Sequence, residues 1–473
     1  MTAALLAFVL AVAQAAPPAE AGIAQADRPD RTEPAEPAPE PVPSLAEKSR
    51  RYQVERLEFR GFVRTRAEEA RRHVIVADGD PLDPDEVQLS RLRLLQLGWY
   101  SRVETRVERG SARGLVVVVF QVVERNTVII TDLVLGSTPA QPVYGGLGLA
   151  QLNFLGRGLA LSGAFVYGGS AEGRPQEPDR LALRTSLFAP DLRLFGLRAV
   201  LGASAWLVRG EEFACGDPAC DAYADDLGGA PRLLYQRAGG ELSAGFRSST
   251  FERLIGSYRY ERVLGRARAG EGTAAGGGPP LLPGWSNVSA FSLTYERDTR
   301  DDFFFPTEGL RTVAQLTFGS PLVGADYEYS RYLFQLESAF ALLRRPLRFQ
   351  AGLGVVQGGA PFFDRFYTAD AHYFSVGPAL GRALDLNFST DSRYDAFLAH
   401  AGLEYAVPLF AGDGFFRRGY LALGVRGVWS TATLGGGRSR VSRLPASADI
   451  ALRLDTPVGD FNASLAYALD NVL

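Results

Sequence analysis

The sequence predicts a transmembrane antiparallel β-barrel of about 16 strands, preceded by one small α+β domain. Three observations predict this fold. Apolar and polar residues alternate with a period of two, in segment after segment, from about residue 140 to the end of the chain. The 473 residues include 52 Gly, 29 Phe and 18 Tyr, a composition that suits barrel strands and turns. Beyond the N-terminus there is no apolar run of about 18 residues, so the sequence predicts no transmembrane helix.

The clearest alternating segments flank Pro306 and Gly309. Residues 291–296 alternate between apolar and polar side chains, and residues 310–318 alternate again. This pattern on both sides of a Pro/Gly turn predicts two adjacent strands, each with one apolar and one polar face. A membrane barrel needs such faces, although a soluble sandwich produces the same alternation. The repetition of the pattern to the end of the chain favours the barrel.

Fourteen strand segments are visible, the first beginning near Leu147 and the last ending near Tyr467. The Gly- and Pro-rich sequence between Leu264 and Ser286 has room for a hidden strand. About 330 residues at roughly 20 per strand and connection indicate about 16 strands. Because backbone polar groups in lipid must all be paired, we expect these strands to close into a barrel over residues 126–473.

The first 125 residues divide into three predicted parts. An apolar run ending in Ala13-Gln14-Ala15 predicts a signal peptide over residues 1–15, although the usual basic start is missing. Residues 16–50 are rich in Pro, Ala and Glu, which predicts a disordered tether. Residues 51–125 predict a small α+β domain with the order β-α-α-β-β. Within this domain, His73 is interpreted as a residue at the end of a helix.

Several functional classes find no support in the sequence. The net charge of −3 gives no case for nucleic-acid binding. The Gly-x-Ser-x-Gly, His-Glu-x-x-His and Walker-type motifs do not occur, so we expect neither an enzyme nor a cofactor. Asp298, Arg300 and Asp301 could imitate a catalytic cluster, but their position in a turn favours ion pairs that stabilise the turn. A simple ion or solute channel remains an alternative.

The two cysteines, Cys215 and Cys220, lie in a polar, acidic loop with the sequence Cys-Gly-Asp-Pro-Ala-Cys. Half of a metal site has such spacing, but no second cysteine pair or nearby histidine completes one. A local disulfide in an oxidising compartment is therefore favoured over a metal site.

Short motifs in both parts of the chain resemble one family. Glu58-Phe-Arg-Gly61 and the segment from Leu94 to Tyr100 resemble a POTRA domain, the periplasmic module of outer-membrane assembly factors. A POTRA domain followed by a barrel resembles the BamA/TamA superfamily of such factors, and the resemblance covers residues 52–473. The barrel motifs are similar to the family's periplasmic turns and strand ends: Asp298-Thr-Arg300-Asp301 with Pro306 and Gly309, Asn153–Gly158, Leu403–Leu409 and Leu454–Gly459.

The resemblance implies a location in the bacterial outer membrane, with the POTRA domain in the periplasm. It implies a protein that inserts barrel proteins by adding client strands at a weakly paired seam between the first and last strands. The resemblance also implies unfolded clients and periplasmic or lipoprotein partners, and it implies no cofactor. Gly145, Gly146 and Gly148 are expected in the first strand, where they would weaken its pairing. The alternative is a polypeptide exporter of the two-partner-secretion type, although such exporters usually carry two POTRA domains.

The chain departs from the family pattern in two places. The family's lumenal plug loop carries an arginine that matches Arg382, in Gly381-Arg382, but the glycine and the aromatic residue that follow it in the family are missing here. The acidic wall position corresponds to Val425, which leaves Asp385 and Glu404 as candidate partners of Arg382. At the C-terminus one strand follows Pro457 where the family has two, so we expect a missing or displaced last strand.

Overall fold

A computed structural model describes the chain from residue 52 to residue 468. The gaps within this range are residues 126, 139–140, 170–179, 195–196, 214–231, 250, 268–280, 302–305, 343–344, 368–393, 413 and 432–445.

The small domain follows the predicted order β-α-α-β-β. Its three-stranded sheet has the order β1-β3-β2, in which β1 pairs with β3 in parallel and β2 pairs with β3 antiparallel. The elements are β1 (Gln53–Arg60), α1 (Ala67–Arg71), α2 (Pro84–Gln96), β2 (Tyr100–Arg109) and β3 (Leu115–Glu124).

Residues with known capping preferences lie at both ends of helix α2. The Asp83 side chain accepts a hydrogen bond from the Asp85 N–H at 2.9 Å, and Pro84 occupies the first turn. Gly98, with φ of +70°, follows the helix end. Leu94 is fully buried in the domain core, so truncating it to alanine would cost about 2–5 kcal/mol. No helix among the described residues is both long and apolar enough to cross a membrane.

The second part of the chain is one antiparallel sheet in which each strand pairs with the next along the chain. It contains fifteen strands within the described residues. They are β4 (Val128–Thr138), β5 (Gln141–Phe154), β6 (Leu159–Gly169), β7 (Arg180–Leu194), β8 (Leu197–Phe213), β9 (Arg232–Arg247), β10 (Glu252–Ala267), β11 (Gly284–Asp298), β12 (Gly309–Gly319), β13 (Tyr329–Leu342), β14 (Arg345–Gly358), β17 (Phe397–Ala411), β18 (Arg418–Thr431), β19 (Ala446–Thr456) and β20 (Gly459–Ala468). Between β14 and β17 in the sequence, the two-residue strands β15 (Phe366–Tyr367) and β16 (Tyr394–Asp395) pair with each other.

The two ends of the barrel differ. We call the end at which β4 begins the proximal end, because it lies next to the small domain, and the other the distal end. Proximal connections include the two-residue segments 195–196, 343–344 and 457–458. The longest connection, residues 359–396, is distal and separates β14 from β17.

The barrel strands have the two faces that the alternation predicts. Phe291 on β11 lies opposite Phe318 on β12, and both point outward, with 46% and 44% of their surface exposed. On the inner face Ser292 and Thr317 are buried and share a hydrogen bond of 2.9 Å. An apolar outer face around a polar interior is the arrangement of a membrane barrel.

Two sequence predictions about the strands are wrong. Strands β10 and β11 are hydrogen-bonded neighbours, so no strand lies between Leu264 and Ser286 in the sheet. The strand that the sequence analysis missed is β4, which precedes all the predicted ones. Gly145, Gly146 and Gly148 consequently lie in β5, the second strand of the sheet, which pairs with a neighbour on each side.

Candidate functional site

The edges of the barrel sheet, β4 and β20, meet at the proximal end, and we call this junction the seam. The backbone N–H of Ile130 donates a hydrogen bond of 2.7 Å to the carbonyl oxygen of Val458, just before β20 begins. Both strands run from the proximal to the distal end. No strand ladder joins them within the described residues, so the described seam is connected at its base and lacks the pairing that every other neighbouring strand pair has.

Strand β4 is irregular as well as being an edge. Its pairing with β5 shifts register after Ile130 and again after Gly136, as at a β-bulge. Outward-facing residues of the two edge strands are among the most exposed apolar side chains of the barrel: Leu133 at 61%, Leu465 at 75% and Tyr467 at 62%.

Buried ion pairs hold the base of the seam. Arg125, which follows β3 of the small domain, donates from Nη2 to Asp455 Oδ1 at 2.7 Å, and both side chains are at least 94% buried. Arg418 Nε donates to the other oxygen of Asp455 at 2.9 Å. The Arg417 N–H donates to the Asp455 carbonyl oxygen at 2.8 Å. Asp455 therefore connects the small domain, β18 and β19 directly beneath the seam.

The small domain also contacts the first proximal hairpin, between β5 and β6. Asn153 Nδ2 donates to Thr65 Oγ1 at 2.9 Å, and Trp99 Nε1 donates to the Leu152 carbonyl oxygen at 3.0 Å. Gly156 adopts a φ of +66°, and a Cβ there would lie 2.3 Å from the Arg64 carbonyl oxygen. The glycine in this hairpin motif thus allows the two backbones to approach closely.

The predicted turn between β11 and β12 is held by its own charged residues. Arg300 donates to Asp298 at 2.9 and 2.7 Å and to Glu337 at 3.0 Å. Asp301 accepts from the backbone N–H of Thr307 at 2.8 Å. Pro306 is buried, and Gly309 has a φ of +108°. These contacts fit ion pairs that stabilise a turn.

The same turn is a contact point for the small domain. Gln96, the last residue of α2, donates from Nε2 to the Arg300 carbonyl oxygen at 2.6 Å. His73 makes a second polar contact with the proximal rim, where its Nδ1 lies 3.4 Å from Asp191 Oδ2. Its ring also packs edge-on against Trp99. Burial lowers the pKa of His73 to about 3, with Asp191 acting against that shift.

A short distal segment folds into the barrel lumen. Ala360, Phe362, Phe363 and Phe366 are all buried, in a cluster with inward-facing residues of many strands. Asp364 accepts a hydrogen bond of 2.8 Å from Arg259 Nη1 on β10. Sequence analysis missed this segment. Its signal is the aromatic density of residues 361–367 directly after Gly358 and Gly359.

Two more buried ion-pair groups line the inner wall. Arg237 Nε donates to Glu261 Oε1 at 2.6 Å, and the Arg237 guanidinium lies 3.6 Å from the centre of the Phe363 ring. Glu404, a candidate partner of Arg382, is contacted by arginines from three neighbouring strands. These are Arg348 at 3.4 Å, Arg426 at 3.7 Å and Arg453.

Val425, the residue matched to the family's acidic wall position, points outward and is 54% exposed. The inward position next to it is Arg426, which pairs with Asp449 at 3.0 Å. Gly381, Arg382 and Asp385 lie outside the described residues, as do Cys215 and Cys220. The predictions of a plug arginine and of a disulfide therefore stay predictions.

Comparison with known proteins agrees with this architecture. The Omp85 superfamily domain matches residues 153–472, and the POTRA family described as a surface antigen variable number repeat matches residues 52–125. The first match covers more than half of the chain. The chain belongs to the Omp85 superfamily. Members of this superfamily are assembly or transport proteins, so this Omp85 protein is not an enzyme.

Two solved structures of CdiB show the same fold at low sequence identity. CdiB from Escherichia coli is 9% identical with a TM-score of 0.58, over 89% of this chain and 73% of that one. CdiB from Acinetobacter baumannii is 10% identical with a TM-score of 0.51, over 88% and 70%. BamA from Haemophilus ducreyi lacking POTRA domains 1–3 is 18% identical with a TM-score of 0.49, over 89% and 81%. No curated protein matches the chain by sequence.

Proposed function

We propose that this Omp85 protein resides in the bacterial outer membrane, with its POTRA domain in the periplasm, and inserts client β-barrel proteins into the bilayer. The client's strand adds to the outer edge of β4 at the seam. The observation that carries this proposal is the single hydrogen bond from Ile130 to Val458, with no described ladder above it.

The edge of β4 supplies the recognition chemistry. A strand without a second neighbour presents a row of backbone N–H and C=O groups, which an incoming strand can pair with whatever its sequence. The Ile130–Val458 hydrogen bond and the ion pairs of Asp455 close the base of the seam, so a client strand that pairs along the whole edge of β4 must open this base. Folding of the client provides the free energy that drives its insertion, and no cofactor is required.

The segment at residues 360–366, which is buried in the lumen, favours a client route at the seam over a route through the barrel. Phe362 and Phe363 are buried within it, and Asp364 is bound to the wall by Arg259. An exporter of the two-partner-secretion type, the alternative, would have to displace this segment to pass a polypeptide. Unfolded barrel chains are accordingly the proposed clients, with periplasmic or lipoprotein partners bound through the POTRA domain.

The experiment compares a locked seam with a locked control pair in liposomes. A background with Cys215→Ser and Cys220→Ser receives Ile130→Cys and Val458→Cys, whose backbones are in hydrogen-bond contact. The control carries Leu147→Cys and Phe165→Cys, a directly paired and outward-facing position on β5 and β6. Each protein is oxidised or reduced, and then challenged with a urea-unfolded barrel client.

Insertion is followed by the client's heat-resistant compact form and its protease protection. We expect reduced protein to accelerate insertion over empty liposomes, oxidation of the seam pair to abolish the acceleration, and oxidation of the control pair to leave it intact. Equal activity of the oxidised seam variant would contradict opening at the seam. No acceleration by any folded variant would contradict an autonomous insertase and favour the exporter.

A further inference from the structure

A cavity of about 490 Å³ lies between the small domain and the proximal rim of the barrel. Its volume is within the range of small-molecule sites, which is about 300–1,000 Å³. One wall is formed by α2 and the residues around it, and the other by inward-facing residues at the proximal ends of the barrel strands. Six arginines and two carboxylates line it, the arginines being Arg93, Arg198, Arg247, Arg253, Arg300 and Arg311.

The lining carboxylates are already engaged by arginines of the barrel. Glu296 accepts from Arg253 at 2.8 Å and from Arg311 at 3.0 Å. Asp298 accepts from Arg300 at 2.7 Å. Asp191 pairs with Arg198, and Glu337 pairs with Arg300 and Arg311, so six positive charges face four negative charges in and around the cavity. An anion there would gain from several guanidinium groups at once.

Arg93 is the arginine that the small domain contributes. It lies in α2 and is 8% exposed, yet its Nη2 has no hydrogen-bond acceptor among the described residues. Burial, together with Arg198 and Arg247 on the barrel wall, lowers the pKa of Arg93 to about 10, so it stays protonated at neutral pH. A buried charge with an unsatisfied donor is costly unless something pairs with it.

We propose that this cavity binds a phosphate-class anion, either free phosphate or the phosphomonoester headgroup of a lipid, which bridges Arg93 to the arginines of the barrel wall. Arginine is the side chain best suited to this ligand, because its planar fork donates two parallel hydrogen bonds to phosphate oxygens.

The bridge has a consequence for the small domain. Without an anion, Arg93 faces Arg198 and Arg247 across the interface, and Asp191 offsets only part of this like-charge repulsion, which opposes docking. With the anion bound, the same residues attract it from both sides. Anion binding would thus stabilise the docked position of α2, independently of which client the barrel handles.

The test uses the full chain in a zwitterionic detergent and titrates inorganic phosphate at constant ionic strength, with acetate as the reference anion. Binding is measured by calorimetry, and docking by hydrogen exchange of Pro84–Gln96. Phosphate should bind and slow exchange in α2. Arg93→Gln should weaken binding by at least about tenfold, the value of one charge-assisted hydrogen bond.

The matched control is Arg102→Gln, which removes a 62% exposed arginine side chain on β2 of the same domain and should leave binding unchanged. Arg247→Gln repeats the test from the barrel side if Arg93→Gln fails to fold. A parallel titration with dihexanoyl phosphatidic acid distinguishes the two sources, since tighter binding of this lipid than of phosphate assigns the site to a headgroup. Absence of binding by both ligands, equal binding of acetate, or equal loss in Arg102→Gln would overturn the proposal.

Discussion

Arg125 and Asp455 form a buried ion pair, with Nη2 and Oδ1 2.7 Å apart, between the last part of the POTRA domain and the final proximal turn of the barrel. The pair joins residues that are 330 positions apart in sequence. It lies directly below the seam, where Ile130 and Val458 share their hydrogen bond. The position of the POTRA domain is therefore mechanically connected to the base of the two strands proposed to separate.

Asp455→Asn should destabilise the base of the seam. The substitution removes the negative charge that pairs with buried Arg125 and with Arg418, and breaking a buried pair costs about 3–5 kcal/mol. The midpoint of urea unfolding in detergent should fall, and hydrogen exchange of β4 should become faster. Glu108→Gln, which removes an exposed pair with Arg60, should change neither measurement. Equal behaviour of the two variants would contradict a structural role for Asp455.

Gly459→Ala should separate the seam at its only described hydrogen bond. Gly459 has a φ of +133°, and a Cβ there would lie 2.5 Å from the Ile130 carbonyl oxygen. The added methyl group must push β4 away from β20, so we expect faster hydrogen exchange at Ile130 and a lower unfolding temperature. Gly412→Ala is the control, because a Cβ at that proximal turn meets nothing within 4 Å. An unchanged Gly459→Ala protein would show that the two strands are not in contact there.

Arg259→Gln should loosen the lumenal segment. It removes the positive charge that holds Asp364 and leaves that buried carboxylate with the hydrogen bond from the Tyr329 hydroxyl but without its counter-charge. We expect larger and more variable ion conductance in planar bilayers, because the segment at Phe362 no longer stays fixed. Arg262→Gln changes an outward-facing arginine on the same strand, stacked on Trp285, and should conduct like the unmodified protein. Identical conductance of both variants would contradict a plugging role for the segment.

The free energy of unfolding of the POTRA domain should fall on mild acidification because of His73. Its pKa falls from the ordinary 6.5 to about 3 in the folded protein, so the unfolded state binds the proton first. Stability is then complete above pH 6.5 and decreases as the pH falls from there towards 3, by at most about 1.4 kcal/mol per pH unit. Hydrogen exchange of α1 between pH 7.5 and 5 measures this slope. His73→Gln should flatten it, and an equal slope in both proteins would assign the effect to other groups.

Much of the fold could be predicted from the sequence, because apolar and polar residues alternate within each strand and show its two faces. Phe291 marks the outer face and Ser292 the lumenal face, and the sequence of this one strand is enough to predict both. Strand β4 escaped notice for a physical reason: its run Val128-Ile129-Ile130 lacks clear alternation, and bulges interrupt its register. The glycines of β5 were accordingly assigned to the edge of the sheet, although they lie one strand inside it.

The candidate site was less accessible because it consists of contacts between distant parts of the chain. Nothing local in the sequence pairs Arg125 with Asp455, or Gln96 with the Arg300 carbonyl oxygen. The turn motif around Asp298 and Gly309 was visible, since its ion pairs are local, but its second role as a contact for α2 required the tertiary structure. Likewise, the burial of the segment at Phe362 depends on inward-facing residues of many strands, which no local sequence pattern shows.

Pairing of a client strand with β4 at the seam can be detected by site-specific disulfide formation. Leu133→Cys places a thiol on β4, and Gln350→Cys places one on the lumenal face of β14, both in the background without Cys215 and Cys220. A client with single cysteines scanned along its last strand is trapped during insertion. The account predicts bonds to position 133 that recur at every second client residue, and none to position 350. Bonds to position 350 alone would contradict it and place the client in the lumen.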